Sequence, residues 1–440
     1  MGSYLDGIPL SGIIRIRDSM FSVANPYRLD QGDISFDAPD SVKEAMARAI
    51  ADNRTHYLQT NGVPRLRELA AAKLRDRNGI ADADAEHLLV TNGAIHGLYA
   101  LFQALLEPGD EVLVPDPAWP PTAGTVLAAR GTLVNCPVYE SRGWRFDLDE
   151  LESMITPRTR VLYVNSPHNP TGGMLTRADL ERLAAIAQEH DLRIVSDEAY
   201  EDIVFDAPHT RSVSEKPEPA PSRPASPATS MISQERARSA PTKSPSWPLL
   251  GRALSIASFP GLYGRTIPVY TFSKSYAMTG LRLGYLAIRD DALRERTKKV
   301  LFFTASNVSS IVQYGGIGAL EGSQACVEAF RTELEARRDL FYRGIEDAAG
   351  EVFSGAPPPG SFYAFLRISP TWGRDVASGE NPSVSWRMVE YLIKHGRIGC
   401  VPGIDFGANG EGYVRFCFAR ERTELEGALA SMSSLFGVRA

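Results

Sequence analysis

Thr271-Phe272-Ser273-Lys274-Ser275-Tyr276-Ala277-Met278-Thr279-Gly280-Leu281-Arg282-Leu283-Gly284-Tyr285 follows directly on the apolar strand-like pair Val269-Tyr270. A lone lysine is most often a solvated surface group. This one is flanked by hydroxyls and has an arginine eight residues on. Hydroxyls and a guanidinium are what a phosphate dianion requires, namely several donors and a fixed positive charge. A lysine amine beside such an anchor can condense with an aldehyde cofactor.

The same strand-then-polar-turn pattern recurs upstream. Glu111-Val112-Leu113-Val114 stops at Pro115, Val161-Leu162-Tyr163-Val164 at Asn165, and Leu192-Arg193-Ile194-Val195 at Ser196-Asp197. Short continuous apolar runs suit strands covered on both faces, as in a parallel sheet. Amphipathic helices lie between them. One is stopped by Asn78-Gly79 and carries Leu66, Leu69, Ala70 and Leu74. Another opens at Thr176, with Asp179 as a capping-box partner, and carries Leu180, Leu183, Ala184 and Ala187. This alternation predicts an α/β three-layer sandwich with a mostly parallel central sheet. After about residue 325 the pattern changes to a long helical stretch over 325–349, strand-like pieces near 362–366 and 413–418, and a closing helix through Leu425, Leu429, Met432 and Leu435. The expected division is a large domain over 46–325, a smaller α+β domain over 326–440, and an N-terminal segment, 1–45, packing with the smaller one. From 208 to 248, nine of 41 residues are Pro, nine are Ser and none is Gly. That composition predicts a disordered or extended surface insertion.

Three further motifs sit at predicted strand ends, where ligands bind in open α/β sheets. Thr91-Asn92-Gly93-Ala94-Ile95-His96-Gly97 opens a helix whose free N–H groups suit a phosphate. Asn165-Ser166-Pro167-His168-Asn169-Pro170-Thr171-Gly172-Gly173 forms a tight polar turn, and Ser196-Asp197-Glu198-Ala199-Tyr200 ends a strand. From about Asp30 to Phe436, insertion excluded, the chain resembles the class I/II aminotransferases, fold type I enzymes dependent on pyridoxal 5'-phosphate.

The resemblance implies a role for each matching residue. Lys274 matches the Schiff-base lysine, which also shuttles the substrate proton. Asp197 matches the carboxylate beneath the pyridine nitrogen, which keeps the ring protonated and a better electron sink. Asn169 and Tyr200 match the donors to the phenolic oxygen, and Trp119 the aromatic stacked on the ring. Gly93, Ala94 and Ile95 match the backbone phosphate cradle, with Thr271, Ser273 and Arg282 as its side-chain part. Tyr57 resembles the tyrosine that reaches the phosphate of a neighbouring subunit, which implies a homodimer with shared sites. Arg415, in Gly412-Tyr413-Val414-Arg415-Phe416, matches the clamp on the substrate α-carboxylate.

The implied activity is amino-group transfer between an L-amino acid and a 2-oxo acid. The alternative is β- or γ-elimination or replacement on the same scaffold, including chemistry on the sulfonium of S-adenosylmethionine with ring closure or carbon–carbon bond formation. Leu29-Asp30-Gln31-Gly32-Asp33-Ile34-Ser35-Phe36 stands where many relatives read Gly-Glu-Pro-Asp-Phe, on the side that faces substrate. Arg15, Arg17 and Arg28 are candidates to bind an acidic side chain. Phe302, Phe303 and Tyr363 would instead favour an aromatic or apolar one, and the sequence does not decide between the two sets. His96 and His168 lie inside motifs but read as packing or supporting groups.

Composition narrows the partners. With 47 basic and 53 acidic residues the net charge is −6, which argues against nucleic acid or an anionic membrane as partner. It also argues against a ligand-sensing regulator with a fused DNA-binding region. No apolar run approaches the length of a bilayer span, and the N-terminus lacks the order of a signal peptide. Cys136, Cys326, Cys400 and Cys417 are scattered without a CxxC pair, and the seven histidines lack metal-ligand spacing. The expectation is a cytoplasmic enzyme without a metal site.

Overall fold

The computed structural model describes residues 4–8, 11–205, 252–375 and 381–437. The insertion read at 208–248 lies outside them. The described strands are β1 Tyr27–Arg28, β2 Leu88–Thr91, β3 Glu111–Asp116, β4 Thr132–Tyr139, β5 Arg145–Phe146, β6 Thr159–Asn165, β7 Arg193–Asp197, β8 Thr266–Thr271, β9 Gly284–Ala287, β10 Phe353–Ser354, β11 Tyr363–Ile368, β12 Ile398–Gly399, β13 Val401–Pro402 and β14 Tyr413–Cys417.

The large sheet has the order β2-β9-β8-β7-β6-β3-β4-β5. Its centre, β8-β7-β6-β3-β4, is parallel. β9 runs antiparallel to both β8 and β2, and β5 makes a short antiparallel hairpin with β4. Strands β3, β6, β7 and β8 are largely covered on both faces, which is why their sequences read as near-continuous apolar runs, whereas β4 is only partly covered. Helices Gly93–Leu105 and Arg177–Glu189 supply apolar stripes to two different core clusters. Each large side chain so buried contributes roughly 1.5–3 kcal/mol. Thr176 caps Arg177–Glu189: its hydroxyl accepts from Asp179 N–H at 3.2 Å, and the Asp179 carboxylate accepts from Thr176 N–H at 2.8 Å. This is the capping box read from the sequence.

A smaller antiparallel sheet, β10-β11-β14-β13, lies beyond the large one. Helices Ala325–Ala349 and Arg422–Phe436 pack on it through Leu334, Phe341, Leu425 and Met432. The N-terminal stretch joins this second core. Ile16, Met20 and Leu29 are buried there, and β1 pairs in parallel with β12. Helix Asp40–Ala51 lies instead against Ser310–Glu321, close enough that a Cβ on Gly318 would meet Ala45 at 2.7 Å.

The carboxyl ends of β2, β3, β6, β7 and β8 all lie along one edge of the large sheet, beside the amino end of β9. Thr91 and Thr271 are both in register with Gly284, and Asn165 with Asp197. The chain leaves this region at Phe205 and returns at Arg252. Phe205 N–H donates to the Pro359 carbonyl at 2.8 Å, and Ala253 N–H to the Glu201 carbonyl at 2.9 Å. Beside these feet are two buried ion pairs, Lys73–Glu201 at 2.6 Å and Arg77–Asp202.

Candidate active site

At the shared strand edge lies a cavity of about 280 Å³. Ala94, Ile95, Trp119, Asn169, Asp197, Tyr200, Thr271, Ser273, Lys274, Arg282 and Arg415 all line it, joined by Tyr363 and by Ile13, Gly32, Asn165 and Ala199. Most side chains singled out from the sequence thus converge from both sheets on one space. Tyr57 does not. It is 89% exposed and lies outside this chain's own cavity.

Lys274 sits in the one-turn helix Phe272–Ser275 directly after β8 and donates from Nζ to the Gly32 carbonyl at 2.6 Å. Burial is the main reason its amine is lowered to about 8. Arg282 and Arg415 push the same way, while Cys417 and Asp33 oppose. Asp197, at the end of β7, is 4% exposed. Its carboxylate accepts from the Tyr163 hydroxyl at 2.8 Å and from Ala199 N–H at 3.1 Å. Burial still raises its pKa, so a cation brought against it would restore the charged form.

Asn169 is held by Asn165, whose Oδ1 accepts from Asn169 N–H at 2.9 Å while its Nδ2 donates to the Asp197 carbonyl at 2.9 Å. Asn169 Nδ2 in turn donates to the Tyr200 hydroxyl at 3.3 Å, and Tyr200 and Tyr363 share a hydroxyl contact at 3.1 Å. Burial drives both phenols upward, which keeps them protonated.

Arg415, in the middle of β14, is 1% exposed. It donates to Asn169 Oδ1 at 3.1 Å and to the Asp30 carbonyl at 2.8 Å, and its guanidinium lies over the Tyr363 ring at 4.3 Å. Its Nε has no partner, and among the described residues no carboxylate pairs with it. A buried cation without a counter-ion is costly, so this group is suited to an incoming anion.

The remaining donors fit a phosphate. Helix Gly93–Leu105 has no side-chain cap from Asn92, which leaves the N–H groups of Ala94 and Ile95 at the cavity wall. Gly93 has φ +74°, and a Cβ there would run into the Arg282 guanidinium. Thr271 and Ser273 hydroxyls, 2.9 Å apart, complete the wall. The full donor set is one amine, one buried carboxylate, two phenol or amide donors and a cationic cradle. It matches the functional groups of pyridoxal phosphate.

His96 and His168 have supporting roles. His96 bridges Asn92 N–H at 3.2 Å and the Thr304 hydroxyl at 2.8 Å. His168 contacts the Thr171 hydroxyl at 2.7 Å, and burial lowers it to about 3. Neither lines the cavity. Sequence reasoning missed Tyr163, Asn165, Ile13 and the Gly32 carbonyl. Tyr163 carried a signal, a hydroxyl inside a strand buried on both faces, where it needs a partner. Gly32 lies in the 29–36 segment expected to face substrate, but nothing marked its carbonyl as the partner of Lys274, 242 residues along the chain.

Comparisons with known sequences and structures give matches over nearly the whole chain. The sequence model for aminotransferase class I and II matches residues 24–432. The aromatic-amino-acid aminotransferase 2 of Thermococcus litoralis is 33% identical, covering 98% of this chain and 97% of its own. A probable aspartate aminotransferase of Methanocaldococcus jannaschii is 31% identical over 92% of each chain. The crystal structure of an aromatic aminotransferase from Pyrococcus horikoshii superposes with a TM-score of 0.78 at 33% identity, covering 96% of this chain and 98% of that one.

Proposed function

The chain belongs to the class I and II aminotransferases, pyridoxal-phosphate-dependent enzymes of fold type I, and from that membership we propose how its own residues divide the work of moving an amino group between an L-amino acid and a 2-oxo acid. Bound pyridoxal phosphate supplies an aldehyde that condenses with amines and a ring that takes up the electrons of the substrate α-carbon. Lys274 would hold the aldehyde end of the cofactor, and its Nζ would take the proton from the substrate α-carbon and deliver one back. An amine lowered to about 8 suits both duties near neutral pH. Asp197, oriented by Tyr163, would hold the proton on the ring nitrogen. Asn169 and Tyr200 would donate to the phenolic oxygen. Arg282, Thr271, Ser273 and the first amides of Gly93–Leu105 would hold the phosphate. Arg415 clamps the α-carboxylate, which places the α-carbon beside Lys274.

The observation that carries this assignment is Arg415, a buried guanidinium without a counter-ion among the described residues that faces the same cavity as Lys274 and Asp197. The test is a single-turnover mixture of holoenzyme with an amino acid and no oxo-acid acceptor. Stoichiometric formation of pyridoxamine phosphate and a 2-oxo acid is expected. Lys274→Ala should lose at least about 10³-fold in rate, within the range for a positioned acid–base group. Near-normal turnover in that variant would remove Lys274 from the mechanism.

The working unit in this reading is a homodimer. Tyr57, 89% exposed, is available to a neighbouring site, and Phe302 and Phe303 are 52% and 83% exposed. Among the described residues no helix is long and apolar enough to cross a membrane. All four cysteines are unpaired, which suits the reducing cytoplasm.

A further inference from the structure

Residues 29–36 run between the smaller sheet and the chain that follows β8. On one side they are fastened to the smaller sheet and its long helix. The Leu29 carbonyl accepts from Cys417 N–H at 2.8 Å, Ser35 N–H donates to the Ala419 carbonyl at 3.0 Å, and Arg337 donates to the Ser35 hydroxyl at 2.7 Å. Arg28 pairs with buried Asp30 at 2.9 Å at the head of the segment. On the other side, two consecutive residues reach the Lys274 motif. The Gly32 carbonyl accepts from Lys274 Nζ at 2.6 Å, and the Asp33 carboxylate accepts from the Thr279 hydroxyl at 2.6 Å.

Thr279 opens the turn that delivers Arg282. The helical turn Thr279–Leu281 ends at Arg282, whose φ of +56° lies in the left-handed region, and Ala277 before it has φ +51°. A non-glycine residue in that region is strained and persists where surrounding contacts impose it. Thr279 supplies two such contacts. Its carbonyl accepts from Arg282 Nη1 at 2.7 Å, and its hydroxyl is bound by Asp33. The Arg282 guanidinium in turn lies against Gly93, at the start of the phosphate-binding helix. An ionised carboxylate is a stronger acceptor than a neutral oxygen, so Asp33 fastens this turn firmly. The same carboxylate acts on the Lys274 amine against Arg282 and Arg415, with Cys417, Asp197 and the Tyr200 ring as further neighbours of that amine.

We propose that Asp33 is a positioning residue for the cofactor: through Thr279 it holds the turn that aims Arg282 at the phosphate, and it sets a negative charge beside Lys274. The proposal rests on the site assignment above.

The test uses cofactor-free protein and two probes, pyridoxamine phosphate and pyridoxamine, in equilibrium dialysis. Neither has an aldehyde, so the ratio of their dissociation constants reads the grip on the phosphate. Thr279→Val keeps the Asp33 charge and loses the hydroxyl. It should cut the preference for the phosphorylated probe about tenfold, the loss expected for one hydrogen bond to a charged group. Asp33→Ala should cut it too, and the double variant no further than the larger single loss, because both substitutions break one link. Asp33→Asn keeps an acceptor for Thr279 and loses the charge. It should retain more of the preference, while the pH midpoint for condensation of Lys274 with pyridoxal phosphate moves below about 8. An unchanged preference in Thr279→Val and Asp33→Ala, losses that multiply in the double variant, or an unmoved midpoint in Asp33→Asn would overturn the proposal. Arg282→Ala checks the site assignment separately. It should remove most of the preference, and if the preference survives intact, the phosphate reading has failed whatever Asp33 does.

Discussion

Burial lowers the pKa of the Lys274 amine in the cavity, and Arg282 and Arg415 add to the effect. The consequence is measurable in the cofactor-free protein. The rate at which Lys274 condenses with pyridoxal phosphate should rise with pH and reach half its limit near 8, because only the unprotonated amine is a nucleophile. A rise centred near 10.5 would show that the amine is solvated and unperturbed. Residues of this kind are legible in sequence because the chemistry demands a particular type at a particular strand end: an amine after β8, a carboxylate after β7, an amide in the turn after β6. Tyr163 was less legible. Its ring belongs to the core and only its hydroxyl, 2.8 Å from Asp197, belongs to the site. The segment holding Gly32 was expected to face substrate, but the bond from Lys274 to its carbonyl was not legible, since a backbone oxygen has no side-chain signature.

At the scale of elements, β9 is wedged between β8 and β2 so that Gly284 touches the start of helix Gly93–Leu105. A Cβ on Gly284 would lie 2.6 Å from the Tyr270 carbonyl oxygen and 2.9 Å from the Gly93 carbonyl carbon. Gly284→Ala should therefore displace the phosphate-binding turn and raise the cofactor dissociation constant about 10- to 100-fold, in line with the 1–3 kcal/mol cost of overpacking. Unchanged affinity in equilibrium dialysis would contradict this. The ends of β7 and β8 are joined through Glu198. Its carboxylate accepts from Ser255 at 2.6 Å, Tyr270 at 2.7 Å and Ser196 at 3.0 Å, and burial, reinforced by Glu201, pushes it up to about 7. Its folded-state pKa lies above the ordinary 4.5. The stability tied to its protonated form is therefore complete below pH 4.5 and lost as the pH rises through 7. The melting temperature of Glu198→Gln, relative to the unaltered protein, should climb between about pH 5 and pH 8, and a flat difference would refute the shift. The Thr176 cap and the stop at Asn78-Gly79 were readable beforehand because local chemistry decides them. The antiparallel direction of β9 was not, since a four-residue apolar strand reads the same either way.

For the molecule as a whole, Phe302, Phe303 and Tyr57 are large exposed side chains, and in the proposed homodimer they would be covered by the second copy. Phe303→Glu should weaken self-association roughly 100-fold, since about 3 kcal/mol is lost by burying an unpaired carboxylate. Sedimentation would then show monomer, with cofactor occupancy falling in parallel. A monomeric unaltered enzyme with full cofactor occupancy would end the shared-site reading. The layered α/β core was legible in the alternation of apolar runs and helical stripes. Tyr57 pointed to a second copy only through the family resemblance, and Phe302 and Phe303 carried no such signal, because single exposed aromatics are common. One further property follows from the two feet at Phe205 and Ala253, pinned to the body by Pro359 and Glu201 and by the Lys73 and Arg77 ion pairs. Closing a loop between fixed ends costs only about 0.6 kcal/mol for each doubling of its length. The position therefore works as a socket: a short bridge, a tag or a folded passenger spliced between residues 208 and 248 would load the feet and leave Asp197 and Tyr200 undisturbed.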